Sequence, residues 1–114
     1  MEEVSAQVRR RYPRRKFRRG VGVLVAGQYM MATGAEIGEG GLSFRVSKPI
    51  RNGVLVVLNF QVPEGEFVSV RAEVRNAGTS QNGEILYGCA FENLKFERKR
   101  EIRTFVTNRS EAEV

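Results

Sequence analysis

The sequence predicts an all-β fold: a six-stranded antiparallel β-barrel with a C-terminal α-helix. Three observations carry this. From Val21 onward, apolar residues recur with a period of two. Short breaks rich in Gly, Asn and Pro separate the runs. Helical spacing appears only near the end of the chain. The 114 residues suffice for one domain with a single modest core. Short connections without intervening helices imply antiparallel pairing, and closure into a barrel removes exposed edges.

Val21, Val23 and Val25 alternate in the first run, and Tyr29 to Ile37 forms a second extended segment. After a break at Gly38 to Gly41, Leu42, Phe44 and Val46 alternate with Ser43 and Arg45, which describes a half-buried strand. Arg51-Asn52-Gly53 introduces Val54 to Val62, whose first five residues are apolar on both faces and suit a central strand. Pro63-Glu64-Gly65 ends that run. Val68, Val70, Ala72 and Val74 then alternate with Ser69, Arg71, Glu73 and Arg75, one dry face and one wet one. The stretch Gly78 to Gly83, containing Asn82-Gly83, reads as a turn, and Ile85, Tyr87, Cys89 and Phe91 repeat the alternation.

In the tail, Ile102, Phe105 and Val106 recur at helical spacing, with Glu97, Arg98, Lys99, Arg100 and Glu101 on the other side. This amphipathic helix is expected to cap an open barrel end. Its acids balance many of its bases, which argues against a membrane-surface role. The expected division is a basic arm over 1–20, a barrel over 21–93, the helix over 94–109 and a frayed acidic tail over 110–114.

Composition narrows the chemistry. No run of about 18 apolar residues exists, so no transmembrane segment is expected. Met1-Glu2-Glu3 leads into a basic stretch without the apolar core of a secretory leader. A single cysteine, Cys89, cannot form an internal disulfide, and these points together favour a cytoplasmic protein. The lack of histidine and the single cysteine argue against a structural zinc site and a His-based catalytic dyad. The chain is expected to be no enzyme, with no catalytic residues, no metal and no resident cofactor. Cys89 reads as a small core residue rather than a reactive thiol.

The charge is concentrated. Arg9 to Arg19 holds seven Arg, one Lys and no acid, a net +8 against +6 for the whole chain, so the remainder is slightly acidic at −2. Such an arm on a near-neutral body points to a local anion site. Pro13 breaks any helix through it, and like charges at this density favour an extended, mobile arm. Guanidinium forks bind phosphate in pairs of hydrogen bonds and can read the O6/N7 edge of guanine. Tyr12 and Phe17 interleave with the arginines and are placed to stack on bases. A solvated charge run without a partner is the competing account.

The second candidate is Glu36-Ile37-Gly38-Glu39-Gly40-Gly41-Leu42, between two strands. Its glycines permit positive φ and close backbone approach, so amides can face an anion. Read alone, the loop is better explained as a flexible hairpin turn.

Together, arm and loop resemble the PilZ domain, a bacterial receptor module for cyclic di-GMP. That family begins with an RxxxR arm, and a D/N-x-S-x-x-G motif follows ahead of an apolar strand. Arg10-Arg11-Tyr12-Pro13-Arg14 fits the first, and Glu36 to Gly41 stands where the second belongs. Arg14 with Arg18, or Arg15 with Arg19, also has the RxxxR spacing, but the Tyr12-Pro13 step and the distance to Val21 favour Arg10 and Arg14. The Gly40 to Phe44 continuation, Gly53 before an apolar strand, the Val62-Pro63 step and Tyr87 to Phe91 before the helix are also similar to the family.

The resemblance implies a site in which Arg10 and Arg14 clamp phosphates and guanine edges, with Arg9 and Arg11 as helpers. Glu36 would accept from guanine N–H groups, while Gly38, Gly40 and Gly41 let the loop approach. The sequence departs from the pattern by carrying Glu36 for Asp or Asn and Gly38 for Ser. A lost hydrogen bond to a charged ligand costs about 1.5–3 kcal/mol, roughly ten- to a hundredfold in affinity. The expected function is thus a cyclic di-GMP effector of reduced affinity that passes the signal to a partner protein, as monomer or homodimer. Two alternatives stand beside it: a degenerate PilZ adaptor that binds no nucleotide, and a barrel for single-stranded nucleic acid. The near-neutral barrel, without an evident row of exposed aromatics, disfavours the latter, and no DNA partner is expected.

Overall fold

The computed structural model describes residues 13–108. Seven strands and one helix follow in order: β1 (Arg15–Lys16), β2 (Gly20–Val25), β3 (Gln28–Gly38), β4 (Gly41–Val46), β5 (Leu55–Gln61), β6 (Phe67–Gln81), β7 (Glu84–Glu92) and α1 (Phe96–Thr107). The order β3-β2-β5-β6-β7-β4, closed by β4 pairing back to β3, makes a six-stranded antiparallel barrel. The two-residue β1 is added alongside β3, with Arg15 opposite Ile37 and Lys16 opposite Glu36.

Alternation fills the barrel as the sequence predicts. Val21 and Val23, Leu42 and Phe44, Val56, Leu58 and Phe60, Ala72 and Val74, and Tyr87 are all buried. Tyr87 satisfies its buried hydroxyl by accepting from the Ile50 amide at 2.7 Å. Helix α1 turns Ile102 and Val106 inward and closes one end of the core, as expected of a cap. Cys89 is buried and free, and desolvation pushes its thiol up to about 12, in keeping with an inert core position.

Two local expectations are corrected. The break at Gly78 to Gly83 shrinks to Asn82 and Gly83, both at positive φ (54° and 78°), while β6 continues through Gly78 to Gln81. Small polar residues there are compatible with an extended ribbon, and the Asn-Gly pair alone supplies the tight turn.

The second correction concerns the arm. Phe17 does not stack on bases: it is 1% exposed and lies edge-on to Phe60 at 6.1 Å and to Phe105 at 6.0 Å. Its amide donates to Ala35 O at 2.9 Å, and the Gly34 amide donates to Arg19 O at 2.8 Å. A Cβ on Gly34 would collide with the Phe17 carbonyl, so glycine is required for this close approach. The segment from Arg15 to Arg19 is part of the fold rather than a free extension. Burying a phenylalanine is worth about 1.5–3 kcal/mol, enough to outweigh the local charge repulsion that the sequence emphasises. Tyr12 lies outside the described residues.

Candidate functional site

Because β1 lies along the end of β3, the two sequence features meet. Arg14 Nη1 stands 3.8 Å from Glu36 Oε1, with both side chains about half exposed (49% and 47%). The Gly38 backbone faces the arm: a Cβ there would sit 2.8 Å from Pro13 O and 3.5 Å from Arg14 Cγ. Gly38 is thus needed for proximity to the arm. Among the described residues, positive-φ glycines are Gly27, Gly53 and Gly83, so the expected positive φ at Gly38 and Gly41 does not occur. Gly41 is required because a Cβ would run into the Cys89 carbonyl across β7. Gly40 is at the exposed tip, and its carbonyl accepts from the Phe91 amide at 2.9 Å. Arg9, Arg10 and Arg11 lie outside the described residues.

Arg14 is the arm residue paired with the loop, and its neighbour turns elsewhere. Arg15 donates from Nη1 to Phe105 O at 2.7 Å, and its guanidinium lies 4.2 Å from the Phe105 ring centroid. That contact combines the negative end of a helix with a cation–π interaction. Arg19 has passed to the start of β2, on another face of the barrel.

Several residues of the site escape a sequence reading. Ser43 is directly opposite Glu36, whose amide donates to Ser43 Oγ at 3.1 Å, and Arg45 follows opposite Thr33 on the same outward row of β4. The wet alternation of β4 shows that Ser43 and Arg45 face outward, but only the register puts them beside Glu36. Glu39 is the other case. It is 7% exposed and is held by the Arg103 fork, Nε at 2.7 Å and Nη2 at 2.9 Å. These hydrogen bonds, with the nearby charges of Arg103 and Lys99, hold its carboxyl below the usual range against the opposing effect of burial. A separation of 64 residues leaves no local signal for this pair.

Chemically, the surface offers the strap's Arg14 guanidinium beside a carboxylate, a hydroxyl and a second guanidinium on the joined outer rows of β3 and β4. This arrangement suits a polar, anionic, hydrogen-bonding ligand. A larger cavity of about 660 Å³ lies along α1, but neither Arg14 nor Glu36 lines it, and its charges are mixed, with Arg98 and Arg100 beside Glu97 and Glu101. Among the described residues, no cluster of His, Cys, Asp or Glu is placed to hold a metal ion, and no helix is long and apolar enough to cross a membrane.

The architecture is thus a closed six-stranded antiparallel barrel with an N-terminal strap and a C-terminal helix. The sequence matches the PilZ domain over residues 8–108, and the chain belongs to the PilZ family. Among curated proteins, no sequence matches the chain. Solved structures share the fold at low identity. The Bacillus subtilis inhibitor of motility (MotI/DgrA) superposes with a TM-score of 0.78 at 13% identity, over 87% of this chain and 50% of that one. The PilZ domain of YcgR from Escherichia coli, solved with cyclic di-GMP, gives 0.67 at 13% identity, over 88% and 90%. Borreliella burgdorferi PlzA, in complex with cyclic di-GMP, gives 0.63 at 9% identity, over 92% and 45%. The chain spans about half the length of the MotI/DgrA and PlzA chains.

Proposed function

We propose that this PilZ domain is a cyclic di-GMP effector, with Arg14 and Glu36 at the centre of its site. The observation that carries this reading is their juxtaposition by β1–β3 pairing, which joins the halves of the two-part motif. Fold relatives solved with cyclic di-GMP support it. In this reading Arg14 and Arg10 bind the phosphates, with Arg9 and Arg11 adding charge, and Glu36 accepts from a guanine edge. Gly38, Gly40 and Gly41 keep the loop low enough for approach, and Ser43 and Arg45 add a hydroxyl and a cation from β4. The ligand must displace an exposed ion pair, which costs at most about 1 kcal/mol.

Signal output follows from two ties to α1. Arg15, adjacent to Arg14, holds the Phe105 carbonyl, and Glu39, inside the loop, holds Arg103. A ligand that repositions Arg14 or Glu36 pulls on both ties, and the exposed face of α1 or the arm then presents an altered surface to a partner protein.

The adaptor reading without nucleotide is favoured by one observation, the tight Gly38–Pro13 contact, which leaves no room for the family's serine. Titration calorimetry with cyclic di-GMP on wild type, Glu36→Asp and Arg14→Ala separates the two. The effector reading expects weak heat, strengthened by Glu36→Asp and abolished by Arg14→Ala. Silence in both wild type and Glu36→Asp at high protein concentration rejects it and leaves the adaptor.

A further inference from the structure

A second surface lies toward the other end of β3 from Glu36. In the closed strand order, β2 lies between β3 and β5. A groove of about 410 Å³ opens there, lined by Gly20 and Gly22 of β2 and flanked by Tyr29, Met31 and Phe67, which are 59%, 63% and 63% exposed. The sequence suggested no grouping of exposed aromatics, yet the fold brings Tyr29 and Phe67 to one groove.

Register explains the shape. Gly22 lies between Met31 of β3 and Asn59 of β5, so β2 carries no side chain outward where its neighbours do. Neither Gly20 nor Gly22 has positive φ, so the backbone does not demand glycine at either position. A Cβ on Gly22 would strike the Tyr29 hydroxyl, and one on Gly20 would come within 3.1 Å of Met31 Cε. The bare strand lets two large side chains lean over it. Leu24, 40% exposed and paired with Tyr29, extends the apolar surface along β2.

We propose that this groove is a docking surface for an acidic polypeptide segment that seats aromatic or aliphatic side chains against Tyr29, Met31 and Phe67. Charge selects the occupant. Among the described residues, Arg19 is the only charged residue lining the groove, and no acid does. Arg71 stands on β6 opposite Val57 with Glu92 of β7 across from it, and Glu73, two residues further along β6, is engaged by Arg75 at 3.1 Å. Asn59 and Gln61 supply amides for the segment's backbone. A second copy of this chain would bring two Arg19 side chains together within a pair of +6 molecules, which opposes self-association. Single-stranded nucleic acid would need a track of cations rather than one guanidinium. The groove is separate from the Arg14–Glu36 site, so the proposal does not depend on nucleotide binding.

The test is selection from a random dodecapeptide phage library on the immobilised protein, followed by fluorescence anisotropy of the enriched peptides. Enriched sequences should carry net negative charge and at least two large apolar residues. Tyr29→Ser/Phe67→Ser should weaken them at least tenfold, and Arg19→Glu severalfold. All three residues are exposed, so the variants should keep the wild-type melting temperature. Should the double variant unfold, Met31→Gln and Arg19→Glu alone decide. Several results overturn the proposal: no enrichment, basic enriched peptides, or affinity unchanged in the variants. Self-association by sedimentation that the variants abolish, or tighter binding of a labelled oligonucleotide through the same residues, also overturns it.

Discussion

Replacing Phe17 by Ala tests whether the strap is part of the fold. The side chain is 1% exposed, with Phe60 and Phe105 edge-on at about 6 Å, so truncation removes a full ring from a closed core. Phe-to-Ala changes in such positions cost about 3–5 kcal/mol, combining lost burial with the residual cavity. A domain of this size is stable by roughly 5–15 kcal/mol, so the variant should lose a large share of its stability. Each kcal/mol corresponds to about 4–8 °C, which places the melting temperature at least about 12 °C lower. Urea and thermal denaturation followed by circular dichroism measure this directly. A double-mutant cycle with Phe105→Ala should also reveal about 0.5–1.5 kcal/mol of ring–ring coupling. A loss below about 1 kcal/mol would refute the reasoning, because it would mean that the strap peels away at little cost and that Arg14 is not held beside Glu36.

Three further outcomes follow from the same geometry. Glu39→Gln should destabilise by about 1–2 kcal/mol at pH 7, discounted because Arg103 is 58% exposed. Since the Glu39 carboxyl is depressed in the fold, its contribution is complete above the unfolded carboxylate value and is lost as pH falls through the folded one; urea midpoints of wild type and variant should converge as pH falls below the ordinary carboxylate range. Gly38→Ser and Gly38→Ala should each press on the Pro13 carbonyl, costing about 1–3 kcal/mol or loosening the strap, seen as faster limited proteolysis near Arg14; unchanged proteolysis and stability in both would contradict the close contact. Cys89 should resist a thiol-specific reagent at pH 8 until the protein unfolds, and fast native labelling would show the barrel interior to be open.

The strands were legible because burial in a barrel imposes a period of two, and that period survives in the order of residues from Val21 to Phe91. Asn82-Gly83 was legible as a turn for a similarly local reason. The end of β6 was not, since Gly78, Thr79 and Ser80 have turn-like composition and are extended only because β7 pairs with them. Phe17 misled for the opposite reason. Among arginines it reads as a surface aromatic, and only its distant partners Phe60 and Phe105 make it core.

The candidate site divides in the same way. By itself, the sequence determined the barrel with its capping helix, the family, and the two basic and glycine-rich segments of interest, because these follow from short-range periodicity, composition and motif order. The tertiary structure alone decided which residues touch. It set Arg14 rather than Arg15 beside Glu36, put Ser43 across from Glu36, locked Glu39 to Arg103, and gathered Tyr29, Met31 and Phe67 around the bare glycines of β2. The physical reason is register. A one-residue slip in pairing turns every side chain of a strand to the other face, and that choice is settled by long-range packing rather than by neighbours in the chain.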